Sequence, residues 1–164
     1  MENVAYIDWQ NLHLWTTEEW WLVDLYKLRK YLLDKFEVTT AYYFLWFLNE
    51  NENDLYKRLQ KAGFIVVFRE HSNYLLWKKK WNVDCDIVFE ILTWIIDKKE
   101  TGEIILVSWD GDYIKLVKYL IGKNLLKKVI FPNKKRSSLY NSIDSSYVMN
   151  LWEGRTREKL EYKK

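Results

Sequence analysis

Ile104-Ile105-Leu106-Val107-Ser108-Trp109-Asp110-Gly111-Asp112-Tyr113 is the stretch on which the reading of the fold turns. Ile104 to Ser108 forms a continuous apolar run, the pattern of a strand buried on both faces rather than one. An acidic turn follows, and Tyr113 to Ile121 then has helical spacing, closed by Gly122. A doubly buried strand that runs through an acidic turn into a helix is a building unit of parallel sheets. In such sheets, ligands bind outside the carboxyl ends of the strands. The acids in this turn are therefore the first candidates for chemistry.

The same alternation extends in both directions. Val4 to Asp8 is a short apolar run that ends in an acid. Asp24 to Phe36 is helical, with Leu25, Leu28, Leu32, Leu33 and Phe36 on one stripe. Val38 to Phe47 is β-branched and aromatic, and reads as a strand. Asp54 to Ala62 is a polar helix stopped by Gly63, and Phe64 to Phe68 is a strand. Val83 to Asp97 is the strongest helix, with Val83, Ile87, Val88, Ile91, Leu92, Ile95 and Ile96 spaced for one buried face. Val129 to Phe131 is a strand ended by Pro132. A small helix near Ser138–Ile143, a short strand at Tyr147–Met149 and a charged helical tail complete the chain. The fold class is α/β, with a mostly parallel central sheet between two helical layers, in the manner of Rossmann-like folds.

Composition narrows the field. At 164 residues the chain is one domain's worth, and with 49% hydrophobic and 30% charged residues it reads as globular. The longest apolar run, Ala41 to Leu48, is far short of the roughly 20 residues of a membrane helix. The opening residues lack the basic-then-apolar pattern of a signal peptide. The single Cys85 has no intramolecular disulfide partner, and with His13 and His71 it does not make a structural zinc site. A cytoplasmic location is the expectation. The net charge of +3 is compatible with a nucleic-acid partner.

Several acids fall on or near one edge of the expected sheet. Asp8 ends the first strand, Asp110 and Asp112 follow the Ile104–Ser108 strand, and Asp84 and Asp86 stand at the start of the strongest helix. Asp86 and Glu90 are four apart and share a helical face. Taken singly, Asp110 or Asp112 caps the next helix. Taken together, carboxylates from separated segments repel one another unless a cation neutralises them. Oxygen ligands without nitrogen or sulfur suit Mg²⁺ or Mn²⁺.

Three segments carry a resemblance. Tyr6-Ile7-Asp8-Trp9-Gln10-Asn11-Leu12 resembles the opening motif of NYN domains, an aromatic or apolar pair followed by Asp-Gly-x-Asn-Leu. Lys80-Trp81-Asn82-Val83-Asp84 is similar to their Lys-Gly-x-x-Asp segment. Ile105 to Tyr113 is similar to their Leu-Val-Ser-Gly-Asp-x-Asp-Phe signature, the most specific of the three. The resemblance covers roughly residues 3 to 132. The resemblance implies one such domain over residues 1–150, followed by a charged helical tail at 151–164.

NYN domains are PIN-like nucleases, so the resemblance implies a divalent-metal-dependent ribonuclease. It makes Asp8, Asp84, Asp110 and Asp112 the acidic ligands and catalytic residues, with Asp86 and Glu90 as further candidates. Asn11 and Ser108 support the site or a phosphate. Lys79, Lys80, Lys134, Lys135 and Arg136 are candidate RNA-binding cations, read against solvated loops. A homodimer is compatible with the sequence. Two rivals stand beside this reading: an RNA-binding or regulatory module that keeps the fold without efficient catalysis, and a phosphatase on a related scaffold. The phosphatase is weakened because Gln10 stands where a second Asp is needed.

One count is unusual: 10 Trp against 5 Gly. Trp9, Trp81 and Trp109 occupy glycine positions of the three motifs. If those positions need positive φ, tryptophan there is strained by roughly 1–2 kcal/mol each. A gene in which UGA encodes glycine, translated as tryptophan, produces this pattern, and UGG codons at the three positions exclude it.

Overall fold

The computed structural model describes residues 2–8, 12, 21–45, 52–68, 83–97, 102–132, 134 and 136–163, with the side chains of Val83 and Asp84 outside the description. Among the described residues, six strands form one sheet: β1 (Asn3–Asp8), β2 (Val38–Leu45), β3 (Ile65–Phe68), β4 (Ile104–Val107), β5 (Leu126–Phe131) and β6 (Val148–Asn150). Their order is β3-β2-β1-β4-β5-β6, and every pairing is parallel. Five α-helices flank the sheet: α1 (Leu25–Phe36), α2 (Asn53–Ala62), α3 (Val83–Ile96), α4 (Ile114–Gly122) and α5 (Gly154–Leu160). This is a three-layer α/β fold with Rossmann strand order. The order reverses between β1 and β4, which opens a crevice at their carboxyl ends.

Period-two alternation along the strands builds two cores. Ala5 and Ile7 of β1, Ile105 and Val107 of β4 and Ile130 of β5 join Leu28 and Leu32 of α1, Leu59 of α2 and Leu160 of α5. Val4 and Tyr6, Leu106 and Val129 face the other way, toward Ile87 and Ile91 of α3 and Val117 and Leu120 of α4. Tyr6 stacks on Tyr42 across the sheet, with ring centroids 5.4 Å apart. All six residues of β1 are buried.

Asn3 closes the amino edge of the sheet. Its Nδ2 donates to the Phe36 carbonyl at 2.6 Å, and its Oδ1 accepts from Glu103 N at 2.7 Å. One buried side chain therefore satisfies the end of α1 and the entry to β4. Gly102 lies against this brace. A Cβ there would overlap the Glu2 carbonyl and come within 2.7 Å of Asn3 N, so a side chain does not fit.

Several elements depart from their sequence reading. In α3 the buried line is Ile87, Ile91 and Trp94, whereas Leu92 is 37% and Ile96 73% exposed. Ile96 is nine residues from Ile87, about 180° round the helix, so both cannot face one core. Leu33 of α1 is likewise exposed. Helix α4 does not close at Gly122. That residue is still helical, and Asn124 takes the left-handed conformation at φ 56°. β5 starts at Leu126, earlier than its apolar residues suggest, because Lys127 pairs with Glu103 and Lys128 donates to the Ser146 carbonyl. The small helix expected near Ser138–Ile143 is a 3-10 turn at Ser138–Ser142. The last residues of the expected Val38–Phe47 strand lie outside the described residues.

Asp24 caps α1, accepting from Tyr26 N and Lys27 N. Asp24→Ala should lower stability by about 1 kcal/mol. Leu28→Ala, at a fully buried position of the same helix, should lower it by about 2–5 kcal/mol. Denaturant midpoints of the two variants check this ranking; an equal loss would contradict it.

Candidate functional site

Asp8 is the last residue of β1, a strand buried along its whole length, and it is only 2% exposed. The β1–β4 register sets Ile7 beside Val107, so Asp8 and Ser108 leave the sheet side by side at the crevice. Ser108 is fully buried and held by its backbone N–H on the Ile130 carbonyl at 3.2 Å. The chain after β4 then folds tightly over this edge. Ser108 Oγ accepts from Asp110 N at 3.1 Å, and Asp110 Oδ1 accepts from Asp112 N at 3.0 Å. Asp110 thereby caps the short 3-10 turn Gly111–Tyr113 that leads into α4. The capping reading of Asp110 is what the hydrogen bonds support, while Asp112 is exposed.

Three further contacts fix the acidic loop. Tyr140 Oη donates to the Asp110 carbonyl at 2.7 Å. Ser137 N donates to the Trp109 carbonyl at 3.3 Å. Gly111 packs beneath Ser137: a Cβ there would overlap Ser137 Oγ and come within 2.9 Å of its Cβ. The 3-10 turn returns Tyr113 to the crevice, where its hydroxyl donates to Asp8 Oδ2 at 3.4 Å. Tyr113, Tyr140 and Ser137 are site residues that no acidic motif position singles out in the sequence. The signal at Tyr113 was its hydroxyl, which the phenylalanine of the motif lacks.

The charge at the crevice is felt by neighbouring phenols. Tyr43, beside Ile7 on β2, has its pKa pushed well above the ordinary value, by burial first and then by the charge of Asp8. Tyr6 is also pushed up, by burial, then by Tyr42 and then by Glu90. Both phenols stay protonated across the physiological range. Glu90 of α3 is thus close enough to Tyr6 for its charge to be felt there.

Other candidates are distributed as follows. Asp84 is in the first turn of α3, with its side chain outside the description, and Asp86 is half-buried on the next stretch of the helix. Lys134 lies over the Trp152 ring at 4.5 Å. Arg136 donates to Asn141 Oδ1 at 3.2 Å and sits 5.5 Å from the Phe131 ring centroid. Asn11, Lys79, Lys80, Lys135, Trp9, Trp81 and both histidines lie outside the described residues. Trp109 is half-buried and packs against the core on the α3 and α4 side. Among the described non-glycine residues only Glu37 and Asn124 have positive φ, so the backbone at Trp109 imposes no glycine-like strain. That corrects the strain argument at this position: the loop accepts a side chain because it points into packing space at the sheet margin.

Among the described residues, no group of three or more His, Cys, Asp or Glu is arranged to hold a metal ion. The donors at this edge are carboxylates and a hydroxyl, chemistry that fits a hard divalent cation. Beside Asp112, a groove of about 640 Å³ opens between α3 and α4, lined by Phe89, Leu92, Lys115 and Leu139 among others.

The NYN domain model matches residues 3–150. The chain belongs to the NYN domain family. NYN domains are PIN-like nucleases, so membership supports a nuclease-type function with nucleic acid as the substrate class. The crystal structure of a protein of unknown function from Vibrio parahaemolyticus shares the fold at 19% identity and a TM-score of 0.70, over 98% of this chain and 96% of that one. No protein of curated function matches the sequence. Among the described residues, no helix of this NYN chain is long and apolar enough to cross a membrane.

Two substitutions test the construction of the loop. Gly111→Ala should cost about 1–3 kcal/mol through overpacking against Ser137. Tyr113→Phe should leave folding intact, because the ring keeps its buried packing and the long hydrogen bond to Asp8 is worth about 0.5–1.5 kcal/mol. Thermal unfolding of both variants reads the difference; a neutral Gly111→Ala would show that the loop has room.

Proposed function

We propose that this NYN protein is a divalent-metal-dependent ribonuclease that hydrolyses RNA phosphodiester bonds at the β1–β4 crevice. The observation that carries the reading is the buried Asp8 at the carboxyl end of β1, beside Ser108 and the Asp110–Asp112 loop, where the strand order reverses. Asp8, Asp84, Asp110 and Asp112 are the residues that would hold Mg²⁺ or Mn²⁺, with Asp86 and Glu90 as secondary acids. A bound ion supplies charge neutralisation at the phosphate and an acidified water. The chain's own part is positional. Asp8 fixes one carboxylate in a site walled by apolar side chains, where electrostatic interactions are strong. Tyr113 orients that carboxylate, and Ser108 holds the turn that brings Asp110 to the edge. Asn11 belongs to the same motif as a phosphate-positioning group, and Lys134 and Arg136 follow β5 on the carboxyl edge, where cations attract the RNA backbone.

A second reading has one observation in its favour. The Asp110 carboxylate is engaged in capping the Gly111–Tyr113 turn, a structural role that a fold-retaining RNA-binding module also needs.

Cleavage of labelled single-stranded RNA with Mn²⁺ or Mg²⁺ separates the two. The nuclease reading expects cleavage that EDTA abolishes and that Asp8→Asn lowers by at least 10²-fold, a typical effect of losing one electrostatic catalytic group. Cleavage that survives both treatments rejects the metal mechanism. RNA binding without cleavage in either ion favours the module.

A further inference from the structure

The carboxyl edge is not the only place where the surface gathers charge of one sign. On the α1 side of the sheet, a cleft of about 540 Å³ runs between α1 and α5. Lys27, Lys30 and Lys35 form one wall, and Arg155 and Lys159 the other, with Tyr31 between them; Asp34 is the sole acid among the lining residues. Arg155 and Lys159 are four apart, so they share one face of α5. The three lysines of α1 spread over a broad arc of the helix, and all three line the cleft.

The cations differ in how far they are engaged within the protein. Lys27 Nζ donates to the Glu161 carbonyl at 2.8 Å and Lys35 Nζ to Tyr31 Oη at 2.8 Å. Lys30 pairs with Asp34 at 2.7 Å, but their side chains are 75% and 55% exposed, so the pair is worth little and exchanges readily. Arg155 and Lys159 are exposed and make no hydrogen bond or ion pair among the described residues. Five like charges converging on a concave surface repel one another, and a polyanion relieves that repulsion by releasing its own counterions.

We propose that the α1–α5 cleft is a second nucleic-acid contact surface, remote from the acidic crevice, that holds the phosphate backbone of single-stranded RNA. The inference rests on the nucleic-acid reading above and adds a site to it. The shape favours a strand over a membrane: the charges line two facing walls, which a phosphodiester chain enters and a flat bilayer does not. The charge distribution also picks this cleft over its neighbour. The adjoining cavity around Trp21 and Trp152 sets Glu158 and Glu161 beside Lys134 and Arg157, and so lacks a one-sided field. The contacts are to phosphate, so binding here is independent of base sequence.

The test is fluorescence anisotropy of a labelled single-stranded RNA oligonucleotide, titrated in EDTA over a range of salt. Chelation keeps the result independent of whether the crevice cleaves. For the Lys30→Gln/Arg155→Gln/Lys159→Gln variant, three lost phosphate contacts should reduce the slope of log affinity against log salt by about 2, and affinity at 0.1 M salt by about a hundredfold. Asp34→Asn should tighten binding severalfold, a gain that misfolding does not produce. Unchanged affinity and slope in the triple variant overturn the proposal, as does absence of RNA binding by the wild type. Loss of binding to phosphatidylserine vesicles in the triple variant, with RNA binding intact, assigns the cleft to a membrane and also overturns it.

Discussion

A carboxylate ends a strand that is buried along its whole length, and much of the architecture answers to it. Burying an ionised acid costs several kcal/mol unless polar groups surround it. The reversal of strand order supplies the place: between β1 and β4 the helices diverge to opposite faces and leave a crevice into which Asp8 opens. Tyr113 offers a hydroxyl to it, and Tyr43 feels its charge from the adjacent strand. The aromatic residues around Asp8 thus serve two ends. Their rings seal the cores above and below the sheet, and the hydroxyl of Tyr113 reaches the place where charge is concentrated.

The acidic loop shows how the rest of the edge is held. Between Ser108 and Tyr113 the chain makes two consecutive side-chain-to-backbone bonds, at Asp110 N and Asp112 N, each spanning two residues. Such local bonds set a turn without help from distant segments. Tyr140 and Ser137 then clamp the loop from the segment after β5. The position of Asp110 consequently depends on residues that are far away in sequence and carry no acid themselves.

Much of this was legible in the sequence, for definite reasons. Continuous apolar runs such as Ile104–Val107 mark the parallel strands, and Gly63 marks a helix end. Asp8 and the Asp110–Asp112 turn stood out because acids follow strands there. The failures also have physical causes. In the last turns of α3 the apolar residues Ile91, Leu92, Trp94, Ile95 and Ile96 go round the helix, so periodicity does not tell Trp94, which is buried, from Ile96, which is not. β5 was shortened because Lys127 and Lys128 look like loop residues until their partners across the edge are known. Asp110 as a cap and Asp110 as a ligand share one sequence signature. The α1–α5 cleft was illegible because its two walls are separated by well over half the chain, and the residues of α5 alone read as a mixed-sign helix.

The central position of β1 has a consequence for how the protein is made. Its two sheet neighbours are β2, beginning at Val38, and β4, beginning at Ile104. As the chain leaves the ribosome, β1 emerges before either neighbour and waits for the chain as far as Ile104 before its second edge is covered. Parallel pairing over such a separation is slow, and an exposed apolar edge is prone to aggregate in the meantime. During that wait Asp8 is solvated and ionised, a charge at the end of an otherwise apolar segment. The same acid that costs energy once buried would then act as a gatekeeper for the nascent strand.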